Sequence, residues 1–387
     1  MIRHPQTIKI LFDAGPLVNG NRTGVGKTTQ GLIEALAQEY PNNIELVGHY
    51  FDFLGRKHAQ NLPTAPNIRY RRTVLIPGKV YNMLRRLGVW IPFELLVKEK
   101  GDFHIFPGFI GWPSLFGAPS APFVHDITYI DFPQYVNGPA QFDLKTIMPR
   151  TIKRSSFIIT NSQSSKDGLQ KVYDLSHIPV LVEHIPPVGT VTISTQDAQN
   201  RRKRLGISGK YLLFFGTLEP RKNLVGLIDA YKLLTPQLRS TYSLVIGGGK
   251  GWKDAKILDS ISQLQQSGAY VIQTGYVSDE DRAALFMGAS VYLMPSHYEG
   301  FGMQLLEGMV YQTPMLVTDI PVLREVGQGS AVYCGTTPPD IAQALTVLLQ
   351  DTAIQNKLRT AGKKRLQDFK WEVVARDIYQ AIRRATT

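Results

Sequence analysis

The sequence predicts an α/β protein with two domains, each built around a parallel sheet that helices cover. Three observations lead to this prediction. The chain has 387 residues, and domains average roughly 150 residues. Short apolar, β-branched runs alternate with helix-like segments, as in parallel sheets buried on both faces. A stretch rich in proline and polar residues separates two series of these runs, and the second series alternates cleanly enough to indicate a doubly wound unit.

The strands are predicted where apolar runs occur. In the first domain, residues 1–190, they are 8–12, 44–50, 103–106, 123–125, 157–160 and 180–185; in the second, residues 205–370, they are 211–215, 243–246, 270–273, 291–294 and 315–318. The boundary falls at 186–204, because Pro186-Pro187 and a Ser/Thr-rich stretch resist regular structure. The run Arg201–Arg204 there is interpreted as the start of a solvated helix.

The last segment, 371–387, predicts a helix with one apolar face, because Val374, Ile378 and Ile382 recur every four residues. It can pack on the second domain or return to the first; the pattern leaves both open.

Composition and charge limit the classes of function. The chain carries 43 Lys and Arg against 31 Asp and Glu, a net charge of +12. This excess indicates an anionic partner: nucleic acid, a phosphate-bearing ligand or an anionic membrane surface. The single cysteine, Cys334, excludes an internal disulfide and a cysteine-based metal cluster. The N-terminal apolar stretch is too short for a signal peptide and no run suits a transmembrane helix, so we expect a cytoplasmic protein.

A segment near the N-terminus nearly matches a P-loop. In the pattern G-x-x-x-x-G-K-[ST], Gly26-Lys27-Thr28 place the first glycine at position 21, which is Asn21, and Gly20 is one residue too early. Since a phosphate-wrapping loop depends on its backbone path, the match argues weakly for nucleotide hydrolysis. Gly24 and Gly26 still allow close backbone approach at the start of a helix, which suits a phosphate or a sugar hydroxyl, or merely a turn.

Two segments at predicted strand ends carry the strongest chemical signal. In 216–223, Gly216 is followed by Arg221 and Lys222, a guanidinium and an ammonium that suit a diphosphate. In 295–307, Glu299 and Glu307 lie eight residues apart around a glycine-containing turn. A carboxylate can accept hydrogen bonds from both hydroxyls of a ribose diol. Two adjacent basic residues are ordinarily a solvated pair, but the glycine and the strand end before them favour a ligand site. Without the signal at Arg221-Lys222, a tight turn with two solvated carboxylates would explain 295–307 equally well.

These segments resemble the glycosyltransferase group 1 family, retaining enzymes with two facing Rossmann-like domains (GT-B type) and a cleft between them. The resemblance rests first on 216–223 and on 299–307, the family's E-x7-E signature. It extends over most of the chain, through 23–26, 124–126, 160–162, 275–278, 312–314 and 318–325. Within the family, the chain looks most like mannosyltransferases of bacterial surface polysaccharides.

The resemblance implies roles for second-domain residues. Arg221 and Lys222 match the pair that binds the donor diphosphate and stabilises it as the leaving group, after the glycine at Gly216. Glu307 matches the carboxylate that holds the ribose, and Glu299 the carboxylate near the donor sugar. The turn Gly300, Phe301 and Gly302 matches the loop that presents amides to sugar and phosphate.

In the first domain, His125 matches a histidine that faces the donor sugar, and Gly24 and Gly26 match a glycine loop near the acceptor and the phosphate. His125 has a plain alternative as a packed strand-end histidine. The chain departs from the family pattern at Met303-Gln304, where Leu-Pro is common, and at Tyr311–Pro314. Both departures bear on sugar or base preference.

The implied activity is transfer of a hexose, mannose-like at first choice, from a GDP- or UDP-sugar to a hydroxyl of a glycan or lipid-linked acceptor. The resemblance implies retention of anomeric configuration. No aspartate-rich metal motif is evident in the sequence, so we expect cationic side chains to replace a metal and no cofactor to be required. Two alternatives remain, a P-loop-like nucleotide-binding protein and a basic nucleic-acid-binding protein. The second lacks an evident recognition motif, so we expect no nucleic-acid partner.

The basic stretch 69–100 holds eight Lys and Arg against two Glu, which is +6 and half of the net charge. Within it, Val80, Met83, Leu84 and Leu87 have helical spacing, with Lys79, Arg85 and Arg86 largely on the other side. Such a helix can lie on an anionic membrane, here the inner face of the plasma membrane, or pack its apolar face on its own domain. The pattern leaves both open.

Overall fold

The fold consists of two α/β units, and the computed structural model describes residues 7–18, 24–53, 55, 59, 62–74, 77–136 and 138–387. The first unit comprises Met1–Val188 and Lys370–Thr387, and the second comprises Gly189–Phe369. The chain therefore passes from one unit to the other directly after Val188, within the proline-containing stretch.

The first unit is built on a seven-stranded parallel sheet in the order β3-β2-β1-β4-β5-β6-β7. Its strands are β1 Ile8–Asp13, β2 Ile44–Phe51, β3 Ile68–Thr73, β4 Phe103–Phe106, β5 Ser120–Val124, β6 Ile158–Thr160 and β7 Val180–Val182. Its helices before the second unit are α1 Gly24–Glu39, α2 Gly78–Arg86, α3 Phe93–Val97, α4 Thr128–Asp131, α5 Gly138–Arg154 and α6 Gln163–Val172. Strands β4 and β5 are buried along their whole length, because helices cover both faces of the sheet.

The second unit is built on a six-stranded parallel sheet in the order β10-β9-β8-β11-β12-β13. Its strands are β8 Lys210–Phe215, β9 Tyr242–Gly247, β10 Val271–Gly275, β11 Val291–Met294, β12 Met315–Thr318 and β13 Val332–Cys334. Its helices are α7 Thr195–Arg204, α8 Leu224–Leu233, α9 Pro236–Thr241, α10 Ala255–Gln266, α11 Asp279–Gly288, α12 Met303–Val310, α13 Pro321–Gly327, α14 Pro338–Gln350 and α15 Thr352–Arg365. The predicted α/β class with two parallel sheets is confirmed.

The last helix, α16 Trp371–Thr386, packs on the first unit against α1. Its apolar face is buried, and the ring of Trp371 fills space that any side chain at Gly31 would need. Tyr379 stacks on Tyr40 of the first unit, with ring centroids 3.8 Å apart. Of the two arrangements left open by its periodicity, the structure has the return to the first unit.

Two strands and one helix end differ from expectation. Strand β3 was not predicted, because it is a sheet edge whose residues are half-buried or exposed and largely basic. Strand β13, three residues at the edge of the second sheet, was also not predicted. The run Arg201–Arg204 occupies the last turn of α7, not a helix start, because Ser194 caps this helix by accepting a hydrogen bond from the amide of Asp197.

The side of helix α2 that packs against the protein is not the one that the spacing of its apolar residues predicts. Tyr81 and Arg85 are buried, at 1% and 7% exposure, whereas Met83 and Leu87 are 55% and 73% exposed. The buried guanidinium of Arg85 lies 5.7 Å from the centre of the Trp90 ring and 3.9 Å from a carboxylate oxygen of Asp143. The alternative in which α2 packs its apolar face on its own domain is therefore wrong for Met83 and Leu87. The side of Tyr81 and Arg85 faces inward instead, and these contacts compensate the burial of Arg85.

Candidate functional site

The candidate site lies where the order of strands in the second sheet reverses. Strand β8 lies between β9, which follows it in sequence, and β11, which returns on its other side. In open parallel sheets, ligands bind beyond the carboxyl ends of the strands at such a switch point. The loops after β8 and β11 meet there: the amide of His297 donates to the carbonyl of Arg221 at 2.9 Å.

The loop after β8 is shaped so that both of its cations face this point. Pro220–Lys222 form one turn of 3-10 helix, which Asn223 ends with a left-handed backbone, φ 55° and ψ 37°. The Asn223 side chain donates to the carbonyl of Thr336 at 3.0 Å and holds this turn before α8 begins. Asparagine tolerates the left-handed region better than most residues do.

Arg221, Lys222 and two glutamates form an ion cluster at this point. Arg221 Nη1 donates to Glu299 Oε2 at 2.7 Å, and its Nη2 donates to Glu219 Oε1 at 2.6 Å. Lys222 Nζ donates to the other oxygen of Glu299 at 2.7 Å. The Ser296 hydroxyl also donates to that oxygen, at 2.6 Å. Folding thus brings together Arg221, Lys222 and Glu299, which the sequence predicts separately.

Burial and charge shift the pKa values in this cluster. Burial by itself would raise the pKa of Glu299, but the charges of Arg221 and Lys222 override it and hold the pKa at about 2. Burial lowers the pKa of Lys222, and the nearby Glu299 carboxylate opposes that shift. Lys222 is only 6% exposed, so its ammonium depends on Glu299 for compensation. The cluster is a preorganised pair of cations on a fixed carboxylate.

The turn after β11 leads directly into α12. Gly302 precedes this helix with φ 96° and ψ 51°, a conformation that favours glycine. The Phe301 side chain is 4% exposed and its ring meets that of Phe369 edge-on at 6.4 Å, so the side chain belongs to the core. This turn can therefore contact a ligand through the backbone atoms of Gly300, Phe301 and Gly302.

Glu307, on α12, is buried beside an arginine that the sequence did not single out. Its Oε1 lies 3.5 Å from Nε of Arg282, and both side chains are less than a tenth exposed. Arg282 also pairs with Asp279 at 2.9 Å and donates to the carbonyl of Gly189 at 2.7 Å. Glu307 is thus held in place by a buried cation on α11. Burial, and then the charges of Glu299 and Glu307, raise the pKa of the buried Tyr292 phenol well above its usual value.

The sequence also missed Glu219 and Trp252. Trp252 Nε1 donates to Glu219 Oε2 at 3.2 Å, and Glu219 in turn binds Arg221. Trp252 ends a glycine-rich loop after β9, in which Gly248 approaches the Gly216 backbone so closely that a side chain there would collide with it. The sequence does contain a signal that could have pointed to Trp252. The segment after β9 is glycine-rich, as are the loops after β8 and β11.

The remaining candidates, His125, Gly24 and Gly26, belong to the first unit. His125 is buried at the end of β5, stacks on Phe123 at 4.4 Å, and donates from Nε2 to the carbonyl of Pro107 at 2.7 Å. Burial lowers its pKa, so the ring is neutral at pH 7. Gly24 and Gly26 lie in the first turn of α1. Residues 19–23 of the near-P-loop lie outside the described residues.

Within the described ranges, no group of three or more His, Cys, Asp or Glu side chains is placed to hold a metal ion. The ligand chemistry that the cluster offers is that of an anion with several oxygens, because a fork of N–H donors and an ammonium lie side by side.

The sequence of the second unit, which carries this cluster, is similar to that of known proteins. Residues 196–365 match the family model of glycosyl transferases group 1. O-antigen chain mannosyltransferase B of Escherichia coli is 33% identical over 256 residues, which are 64% of this chain and 66% of that protein. Serotype-specific mannosyltransferase WbdA of Escherichia coli is 27% identical over 247 residues, 61% of this chain and 28% of that protein. The chain therefore spans just under two thirds of the first relative and little more than a quarter of the second.

Two solved structures share the fold over nearly the whole chain. Sucrose-phosphate synthase from Thermosynechococcus elongatus has a TM-score of 0.74 at 17% identity, over 97% of this chain and 98% of that one. HepE from Anabaena, solved in complex with UDP and glucose, has a TM-score of 0.69 at 16% identity, over 97% and 99%. Residues 196–365, within the second unit, therefore match the glycosyl transferases group 1 family, and the chain is similar to two mannosyltransferases over the shares given above.

Proposed function

We propose that this protein transfers a mannose-like hexose from a GDP- or UDP-sugar to a hydroxyl of a glycan or lipid-linked saccharide, with retention of anomeric configuration. The observation that carries this proposal is the pair of cations, the half-buried Arg221 and the buried Lys222, fixed by Glu299 at the switch point of the second sheet. The mannosyltransferase relatives support the choice of sugar, and the O-antigen in the name of the first of them supports a polysaccharide acceptor.

The proposed mechanism follows from the charges that develop. When the bond between the anomeric carbon and the phosphate oxygen breaks, positive charge grows on the sugar and negative charge on the diphosphate. Arg221 and Lys222 stabilise that leaving group most when its charge is greatest, and being fixed beforehand they need little reorganisation. We propose that these two cations take the place of a metal ion.

Retention is explained by attack on the same face. The acceptor hydroxyl oxygen forms the new bond to the anomeric carbon as the diphosphate leaves, and a departing phosphate oxygen takes the hydroxyl proton. In this proposal Glu307 binds the ribose hydroxyls, and Gly216 and the backbone of Gly300–Gly302 approach the phosphates. His125 contacts the donor sugar, with Gly24 and Gly26 near phosphate and acceptor.

Nucleotide binding tests this proposal at low cost. We expect UDP or GDP to raise the thermal unfolding temperature without magnesium, by the equivalent of about 2.7 kcal/mol when the ligand is at a hundred times its Kd. Thermal shift measurements over a nucleotide panel check this. Stabilisation by ATP that requires magnesium, with none from UDP or GDP, would favour the P-loop alternative.

The donor and the stereochemistry need an activity assay. Donor hydrolysis and transfer over a panel of UDP- and GDP-sugars should show one preferred hexose, with mannose as first candidate, and a product of the same anomeric configuration as the donor. Activity should persist in the presence of a metal chelator. An inverted product anomer contradicts the mechanism proposed here.

We also propose that the first unit docks on the inner face of the plasma membrane through α2 and the residues that follow it. No helix of the described residues combines the length and apolar character needed to cross a bilayer. Met83, Leu87 and Val89 are more than half exposed. Much of the positive charge of 69–100 is already paired, since Arg69 and Arg71 both bind Glu99. Apolar insertion therefore carries this proposal more than charge does.

Replacing Met83 and Leu87 with glutamate should abolish binding to liposomes that contain anionic lipid, in co-sedimentation at low salt. Each buried apolar side chain of this size contributes about 1.5–3 kcal/mol, so the double change should lower partitioning at least about tenfold. Leu233→Glu is the matched control, because Leu233 is 58% exposed on the second unit. Equal sedimentation of both variants and the wild type would rule out docking through α2.

A further inference from the structure

The cations at the candidate site are already neutralised by carboxylates. Glu219, Arg221, Lys222 and Glu299 together have a formal charge of zero, and each cation donates to at least one glutamate. A diphosphate that binds Arg221 must therefore compete with a carboxylate that is present before it arrives.

The two glutamates are held very differently. Glu299 is 6% exposed and accepts from Arg221, Lys222 and Ser296. Its displacement would leave Lys222 buried without a counter-ion, which is strongly destabilising. Glu219 has a side chain 14% exposed, and its carboxylate accepts from Arg221 Nη2 and from Trp252 Nε1. Glu219 is therefore the carboxylate that an incoming diphosphate can displace from Arg221.

We propose that Glu219 is an exchangeable counter-ion for Arg221. It occupies Nη2 of Arg221 while the site is empty and gives up that position to the diphosphate of a nucleoside diphosphate or its sugar ester. Trp252 Nε1, which binds the other carboxylate oxygen, retains Glu219 nearby. When the nucleoside diphosphate product remains after transfer, the returning carboxylate competes for Arg221 and favours release.

This inference rests on the proposed function. It predicts that loss of the Glu219 charge changes nucleotide affinity in the opposite direction from the change that a positioning role predicts. If Glu219 only fixed the orientation of Arg221, its loss would weaken nucleotide binding. If Glu219 competes with the diphosphate, removal of its charge strengthens binding, because a like charge at the contact opposes the ligand.

The test is isothermal titration calorimetry of UDP and GDP with the full chain and Glu219→Gln. We expect the variant to bind whichever nucleotide the wild type binds about tenfold more tightly. Asp229→Asn is the matched control: it removes the same charge from the same unit and breaks an exposed ion pair with Lys232, and its affinity should equal that of the wild type. Unchanged or weaker binding by Glu219→Gln overturns the inference.

A second comparison establishes that the competition is for Arg221. In an Arg221→Ala background, Glu219→Gln should no longer strengthen binding, because the contested guanidinium is gone. A gain that persists there would overturn the inference in favour of general charge repulsion. If neither wild type nor Glu219→Gln binds UDP or GDP, the proposed function falls together with the inference; wild-type binding without the gain overturns the inference alone.

Discussion

Replacing Arg221 with alanine is expected to lower kcat by about a hundredfold or more at saturating donor, since each lost electrostatic donor of this kind removes about 2.7–4 kcal/mol of transition-state stabilisation. The change removes the guanidinium that joins Glu219 and Glu299. Glu299 keeps its contacts with Lys222 and Ser296, so we expect the variant to fold. Steady-state kinetics with the preferred donor, together with circular dichroism, measure both effects.

The matched control is Arg204→Ala, which removes an arginine whose side chain is 67% exposed on the same unit; it should leave kcat unchanged. Arg221→Lys should recover only part of the lost rate, because an ammonium restores the charge but not the planar fork. Near-wild-type kcat for Arg221→Ala at saturating donor would refute the assignment of Arg221 to the leaving group.

The second large effect concerns stability. Glu299→Gln should lower the free energy of unfolding of the second unit by about 3 kcal/mol at pH 7, because it leaves the buried Lys222 ammonium without its carboxylate. For a unit of this size the unfolding temperature should fall by about 6–12 °C. Differential scanning calorimetry on the full chain measures this loss, and kcat should fall with it because both cations lose their common anchor.

The dependence on pH distinguishes this explanation from a packing defect. The pKa of Glu299 is lowered in the folded state from 4.5 to about 2, so its carboxylate stabilises the fold above about pH 4.5, and this contribution is lost as the pH falls towards 2. The difference between wild type and Glu299→Gln should therefore shrink as the pH falls below about 4.5. A difference that stays constant down to the acid transition would contradict the ion-pair explanation.

A compensating change provides the control. Lys222→Met in the Glu299→Gln background removes the uncompensated buried charge, so it should restore part of the lost stability without restoring turnover. Asp229→Asn, at an exposed ion pair, should alter the stability by less than about 1 kcal/mol.

The interior strands were predictable because strands covered on both faces need near-continuous apolar sequence. Strands β4 and β11, for example, lie where the apolar runs predict them. The edge strand β3 escaped prediction since one of its sides has no neighbour and its sequence is free to be basic. The orientation of α2 could not be derived from the spacing of its apolar residues. The buried Arg85 is compensated by the Trp90 ring and by the Asp143 carboxylate on α5, which the sequence of α2 does not contain.

By itself the sequence determined the two parallel sheets, the resemblance to the glycosyltransferase group 1 family and the loops that carry Arg221, Lys222, Glu299 and Glu307, because these depend on local pattern and on short motifs. Only the tertiary structure decided that Glu299 is the common anchor of both cations and that Glu307 rests on Arg282. It also revealed that Glu219 forms an ion pair with Arg221 before any ligand is bound. The contacts of Glu299 and of Glu307 join residues that are distant in the chain and meet only when parallel strands bring their carboxyl ends to one edge of the sheet. Glu219 and Arg221 are two residues apart, and their contact depends on the conformation of the loop after β8.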